Sequence, residues 1–422
     1  MKLFPFQVEG VKALVGKKRF LIASDPGLGK TVQLICAVNV LANQKGCVAD
    51  DCGRSRVALE VLVVCPKSMR VTWEREIEKW GREGVNWTVV NHDKLITKQG
   101  EGLVRAWDVV IADESHQYLK NGDTKRARVF RQIEGKSDVV WLSTATPASK
   151  SAEDYYCTLQ ILLPGVFGGM KKYQFLSRYC NKVVDRWAHS GYKYEGFKNK
   201  EELKEIFKKC AIKHRQSEVA ADLPELTYSS YYADVNYKDL MHLSESQAVE
   251  IKQAVMEDKV FGSDYNAVLR HNALLKVPAV VELLSGYPED VKVVVFAWHR
   301  EVVSEIVKAL QDTDRTVDYI TGEVSEEKRQ KAIDAFQTGG LNTLVMNMQA
   351  GGVGITLTAA TKALYVQFPY SAIHWIQSQK RVHRIGSKQP VQIIKIIIEK
   401  SIDEDVYKIL QDRVVNIEKV GV

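Results

Sequence analysis

The stretch Ser24-Asp25-Pro26-Gly27-Leu28-Gly29-Lys30-Thr31 contains residue types, at the right spacing, to hold the phosphates of a nucleotide. Phe20-Leu21-Ile22-Ala23 precedes it and Val32-Gln33-Leu34-Ile35-Cys36-Ala37-Val38 follows, so the order reads strand, glycine turn, helix. The N–H groups of such a turn and the positive end of the helix dipole cradle phosphate oxygens. Gly27 and Gly29 keep the turn clear of Cβ atoms, Lys30 would reach the β/γ-phosphates, and the Thr31 hydroxyl would ligate Mg²⁺. The strict G-x-x-x-x-G-K-[ST] pattern has glycine where this chain has Ser24. An ordinary glycine-rich turn would look similar, so the residues downstream decide.

Asp113-Glu114-Ser115-His116 ends the apolar run Asp108-Val109-Val110-Ile111-Ala112. Beside a phosphate loop, Asp113 can hold Mg²⁺ and Glu114 can orient or deprotonate an attacking water. Val139-Val140-Trp141-Leu142-Ser143 runs into Thr144-Ala145-Thr146-Pro147, where the hydroxyls of Thr144 and Thr146 could bond His116 and couple it to the state of the nucleotide. Gln7 either caps the first helix or reads an adenine edge, since an amide donates and accepts at once. Lys67 and Ser68 follow the run Val61-Leu62-Val63-Val64-Cys65 and are candidate contacts to the phosphates of a nucleic acid.

In the second half, Gln349-Ala350-Gly351-Gly352-Val353-Gly354-Ile355 is a glycine turn after a strand, and His299 follows the strand Val291–Phe296. His299 and Gly351 are further candidate nucleic-acid contacts, and Gly354 is a candidate nucleotide contact. Arg381 and Arg384 in Gln377-Ser378-Gln379-Lys380-Arg381-Val382-His383-Arg384-Ile385-Gly386 are three apart, which predicts one helical face and a pair of arginine fingers.

Strands must position these groups. Apolar runs alternate with helix-like segments in both halves, which predicts an α/β chain of two doubly wound parallel sheets. The expected lobes are 1–222, with a helical insertion at about 151–222, and 223–422, with another at about 236–285. The turn Asp222-Leu223-Pro224-Glu225 is the candidate linker. Only the first lobe has a phosphate loop, and nothing in the sequence reads as a wedge hairpin. The basic run 198–215 alternates with Glu201, Glu202 and Glu205, which predicts a solvated face, with a DNA-facing patch as the alternative.

A net charge of +7 over 422 residues permits nucleic-acid binding without requiring it. No apolar run approaches a membrane span, and no secretory signal is evident. Seven scattered cysteines fit a reducing compartment, and the expected location is cytoplasmic or nucleoid-associated, nuclear if the source is eukaryotic. Cys47 and Cys52 lack the two further ligands that zinc would need.

In their order, these signals resemble helicase superfamily two, and within it the SWI/SNF-type (sucrose-non-fermenting) DNA translocase ATPases. The resemblance runs from Pro5-Phe6-Gln7 through Asp25–Thr31, Asp113–His116, Thr144–Pro147 and Ala350–Gly354 to Gln377–Gly386, and includes Leu163–Gly168 and Arg215–Val219. It implies two RecA-like lobes, ATP and Mg²⁺ as cofactors, and double-stranded DNA, forked or branched, as the partner. Residue by residue, it implies Gln7 on adenine, Lys30 and Thr31 on phosphates and metal, Asp113 and Glu114 as the catalytic acids, and Gln377, Arg381 and Arg384 from the second lobe. The overall form looks nearest to the annealing translocases. Tyr370-Ser371-Ala372 departs from the family's Trp-Asn-Pro, and Trp298-His299 from its small polar pair. No accessory segment is recognisable, so targeting would come from an unidentified protein partner or be weak; the expected state is a monomer. A strand-separating helicase on DNA or RNA, and a non-motor ATP-gated clamp, are the alternatives.

Overall fold

A computed structural model describes residues 2–46, 58–120, 122–145, 151–184, 191–220, 223–242, 244, 246–250, 263–351, 355–369 and 371–420. The chain divides into two compact units, 1–219 and 220–421.

Five strands of the first unit are β1 (Arg19–Ile22), β2 (Leu59–Cys65), β3 (Val85–Asn91), β4 (Val109–Asp113) and β5 (Val139–Ser143). β6 (Asn181–Val184) and β7 (Tyr192–Glu195) form an antiparallel pair, and β8 (Ala211–Ile212) is the sixth strand of the sheet. The order is β3-β2-β4-β5-β1-β8, parallel throughout. β2, β4 and β5 are near-continuous apolar runs because both faces of the sheet are covered. Helix α1 (Pro5–Val15) packs on α2 (Lys30–Gln44), and α3 (Arg70–Trp80) follows β2.

The stretch expected to be helical from about 151 to 222 also carries the β6–β7 hairpin and ends earlier, at β8. Neither feature had a sequence signal. All four β6 residues are exposed, so they have no apolar alternation, and two-residue β8 is held by register with β1. The hairpin's base is fixed by Ser151 pairing with Gly196. The basic run forms the helix Lys200–Cys210, which buries Leu203, Phe207 and Cys210 and pairs exposed Lys204 with Glu201 and Lys208 with Glu205. Its charged residues face outward, as in either a solvated face or a DNA-facing patch.

The second unit has β9 (Leu226–Tyr232), β10 (Val293–Ala297), β11 (Val317–Ile320), β12 (Thr343–Asn347), β13 (Lys362–Tyr365) and β14 (Val391–Ile397), ordered β11-β12-β10-β13-β14-β9 and all parallel. β9 is an edge strand rich in Tyr and Ser, directly after the expected linker, and its composition hides it. Along β10, Val294 and Phe296 enter one apolar cluster, and Val293, Val295 and Ala297 enter the other, the period of two that strand geometry dictates. The expected insertion at 236–285 holds the helices Ser263–Leu274 and Val277–Ser285 among the described residues. Lys276, between them, is 1% exposed. Its ammonium donates to Val366 O and Ile396 O at 2.9 and 3.0 Å and pairs with Asp403 of the helix Ile402–Val420.

Candidate nucleotide site

Register brings the first unit's chemistry together. Ser143 of β5 is level with Ile22 of β1 on one side and with Asp113 of β4 on the other. The phosphate loop therefore leaves the sheet two strands from the acidic pair, about 10 Å across. Gly27 (φ +84°) and Gly29 (φ +69°) have left-handed backbone, which favours glycine. A Cβ on Gly29 would also lie 2.5 Å from Gln7 Nε2.

Gln7 is buried, its Oε1 accepting from Phe4 N (3.0 Å) and its Nε2 donating to Leu28 O (3.2 Å). Half of the amide is thereby used, leaving one lone pair and one N–H for a base edge. Lys30 Nζ donates to the loop carbonyls of Ser24 (2.9 Å) and Asp25 (3.2 Å). Thr31 opens α2 beside it.

Asp113 is 3% exposed. Burial first, and the charge of Glu114 second, push its carboxyl above the ordinary range, against the Trp73 indole and the Lys30 ammonium. Trp73 Nε1 donates to Asp113 Oδ2 at 2.9 Å. The sequence shows Trp73 only as part of an apolar helix face, and no local signal links it to a residue forty positions away. Glu114 has φ +45°, strained for a side-chain-bearing residue, and its N–H donates to Asp113 Oδ1 (3.0 Å). His116 Nδ1 lies 2.8 Å from Thr144 Oγ1 and 3.4 Å from Glu114 Oε2. Thr146 lies outside the described residues.

Sequence reasoning also missed His214. It sits just past β8, donates its backbone N–H to Ser24 Oγ (3.1 Å), and accepts through its O from Asp25 N (3.0 Å). Lys67 and Ser68 occupy the short turn Lys67–Met69 after β2, Lys67 exposed and Ser68 half-buried.

In the second unit, Ala297 and Asn347 are in register, so His299 and Gly351 follow adjacent strand ends. The Gln367 amide accepts from Trp298 N and His299 N and contacts His299 Nδ1 at 2.7 Å. Burial holds the His299 imidazole below its usual range. Gly354 and Tyr370 are outside the described residues. Gln377 and Arg381 are buried in the helix Ala372–Val382. Arg384 is not on that helix, which corrects the expectation of a shared helical face. The helix ends at Val382 with His383 extended (φ −116°, ψ 97°), and Gly386 at φ +101° lets the chain turn. Ser387 fixes that turn, its Oγ donating to Val382 O and accepting from Arg384 N. Arg384 Nη1 donates to Thr356 Oγ1 (2.9 Å), and Leu357 N donates to Arg381 O (2.9 Å), so both arginines are tied to one segment.

An all-oxygen donor pair, a hydroxyl and a buried carboxylate, fits a hard cation such as Mg²⁺. Among the described residues, no group of three or more His, Cys, Asp or Glu side chains could hold a metal by itself, and no helix is long and apolar enough to cross a membrane.

Two family models match the chain. Residues 6–99 and 85–272 match the SNF2-related domain, and residues 275–386 the helicase conserved C-terminal domain. The chain is 27% identical over 437 residues to the SWI/SNF-related matrix-associated actin-dependent regulator of chromatin subfamily A-like protein 1 of Xenopus tropicalis, covering 98% of this chain and 44% of that protein. It is 27% identical over 436 residues to the DNA annealing helicase and endonuclease ZRANB3 of Bos taurus, covering 95% and 39%. The chain thus spans less than half the length of either relative. A solved SWI2/SNF2 ATPase core from Sulfolobus solfataricus, in complex with double-stranded DNA, aligns over all of this chain and 93% of its own at 20% identity and a TM-score of 0.45.

Proposed function

The chain belongs to the SNF2-related family of helicase-like ATPases, and from that premise we propose that it is a motor coupling ATP hydrolysis to movement along double-stranded DNA. The observation that carries the reading is the row Ile22–Ser143–Asp113, which sets Lys30 and the acidic pair at one sheet end. Gln7 would read adenine with the free half of its amide. Lys30 would exchange its two loop carbonyls for phosphate oxygens. Thr31 and Asp113 would hold Mg²⁺, which neutralises charge on the phosphates when bound. Glu114 would orient and deprotonate water, and the His116–Thr144 pair would couple that event to β5.

From the second unit, Gln377 and Gly354 would contact nucleotide, and Arg381 and Arg384 would offset transition-state charge. Lys67, Ser68, His299 and Gly351 would track the phosphodiester backbone, a contact without sequence preference. The test is ATPase activity titrated with duplex, forked and single-stranded DNA and with RNA at fixed salt, beside displacement of a third strand from a triplex. Duplex stimulation with displacement supports the motor. Stimulation by RNA alone overturns it, and duplex stimulation without displacement identifies a clamp.

One observation favours the second reading, a strand-separating helicase. The β6–β7 hairpin stands on the first unit with Val184 81% exposed, as a wedge would. Unwinding of a fork that is lost in Val184→Asp, with triplex displacement retained, would support that reading.

A further inference from the structure

We infer that His214 is a positioning residue that sets the adenine-reading helix against the phosphate loop, and so contributes to the choice of ATP over other nucleotides. This rests on the reading of the loop as an ATP cradle. His214 is 9% exposed and touches both α1 and the phosphate loop. Its ring lies 5.6 Å from Phe6, next to Gln7 on α1. Its Nδ1 is 3.3 Å from Ser24 Oγ and its Nε2 is 3.2 Å from Glu9 Oε2.

One tautomer satisfies every partner. Nε2–H donates to the Glu9 carboxylate, which leaves Nδ1 to accept from the Ser24 hydroxyl, while Ser24 Oγ accepts from the backbone N–H of His214. Ser24 and His214 thereby close a two-bond ring in a buried setting. The Glu9 side chain is 67% exposed, so its bond contributes little and the Ser24 ring dominates. The next residues continue the clasp, since Gln216 N donates to Asp25 Oδ2 at 2.9 Å.

This accounts for Ser24 standing where the strict phosphate-loop pattern has glycine. Lys30 rests on the carbonyls of Ser24 and Asp25 and must leave them to reach a phosphate. The His214 ring keeps those two residues in place while it does so. Because Gln7 bonds Leu28 O in the same loop, a loop that shifts at Ser24 also misplaces the adenine reader.

The experiment measures equilibrium binding of MgATP and MgGTP to the full chain and to four variants whose folding is checked by thermal melting. His214→Ala and Ser24→Gly should each weaken ATP about five- to tenfold, the range of one buried hydrogen bond, and shrink the ATP/GTP ratio. Ser24→Gly restores the strict motif yet is expected to bind worse. His214→Asn, whose Oδ1 can take the place of Nδ1, should keep most of the ratio. His214→Gln, which reaches towards Glu9 instead, should behave like alanine. Unchanged ratios in His214→Ala and Ser24→Gly would overturn the role of His214, as would equal rescue by Gln and Asn. Failure of the unaltered chain to bind either nucleotide would overturn the ATP reading itself.

Discussion

Glu114 combines a strained backbone with a carboxylate beside His116, and it is the residue whose loss should separate chemistry from binding. Glu114→Gln keeps the size and removes the base, so turnover should fall by roughly two orders of magnitude or more while DNA binding by gel shift persists. Normal turnover in that variant would remove the assignment. Gly29→Ala should lose nucleotide binding, because left-handed backbone costs a non-glycine residue about 1–2 kcal/mol and the new methyl would meet the Gln7 amide. Histidines give the pH dependence. Burial holds His92, His299 and His383 below the ordinary value of 6.5, so each is neutral in the fold and gains a proton more readily when unfolded. Their contribution to stability is full above about 6.5 and is lost as pH falls through the lower folded values. Melting temperatures recorded from pH 8 down to pH 5 should therefore drop on the acid side, and a flat profile would contradict the burial of these rings.

Elements decide where such residues meet. Trp73→Phe removes the indole donor to Asp113 and keeps an aromatic ring on α3. The carboxyl should then rise further, and the acid limb of the ATPase pH profile should move to higher pH; an unmoved limb would separate Trp73 from the site. Much of this site can be read from the sequence, because the phosphate loop and acidic pair are local patterns between apolar runs, and parallel strands buried on both faces stand out as such runs. What could not be read depends on distance or on missing pattern. The Ser24–His214 ring joins residues 190 positions apart. β6 lacks apolar alternation because no face of it is covered. The helix that carries Arg381 stops before Arg384 through a turn set by Ser387 and Gly386, although Val382 and Ile385 keep a helical spacing.

At the scale of the whole molecule, the chain is two units, and in each the described residues bury apolar side chains on both faces of the sheet. Calorimetry should resolve two unfolding transitions. Lys276→Ala strips a buried cation from Asp403 and two carbonyls, which costs about 3–5 kcal/mol. It should lower only the transition of the second unit, and movement of both would mean that the units unfold as one. Lys276 has another consequence. An amine 1% exposed and held by Val366 O, Ile396 O and Asp403 cannot meet an acylating reagent while those contacts stay closed, whereas surface lysines react at once. The rate at which mass spectrometry finds Lys276 acylated thus clocks how often the packing around it opens, read from a side chain the protein already has.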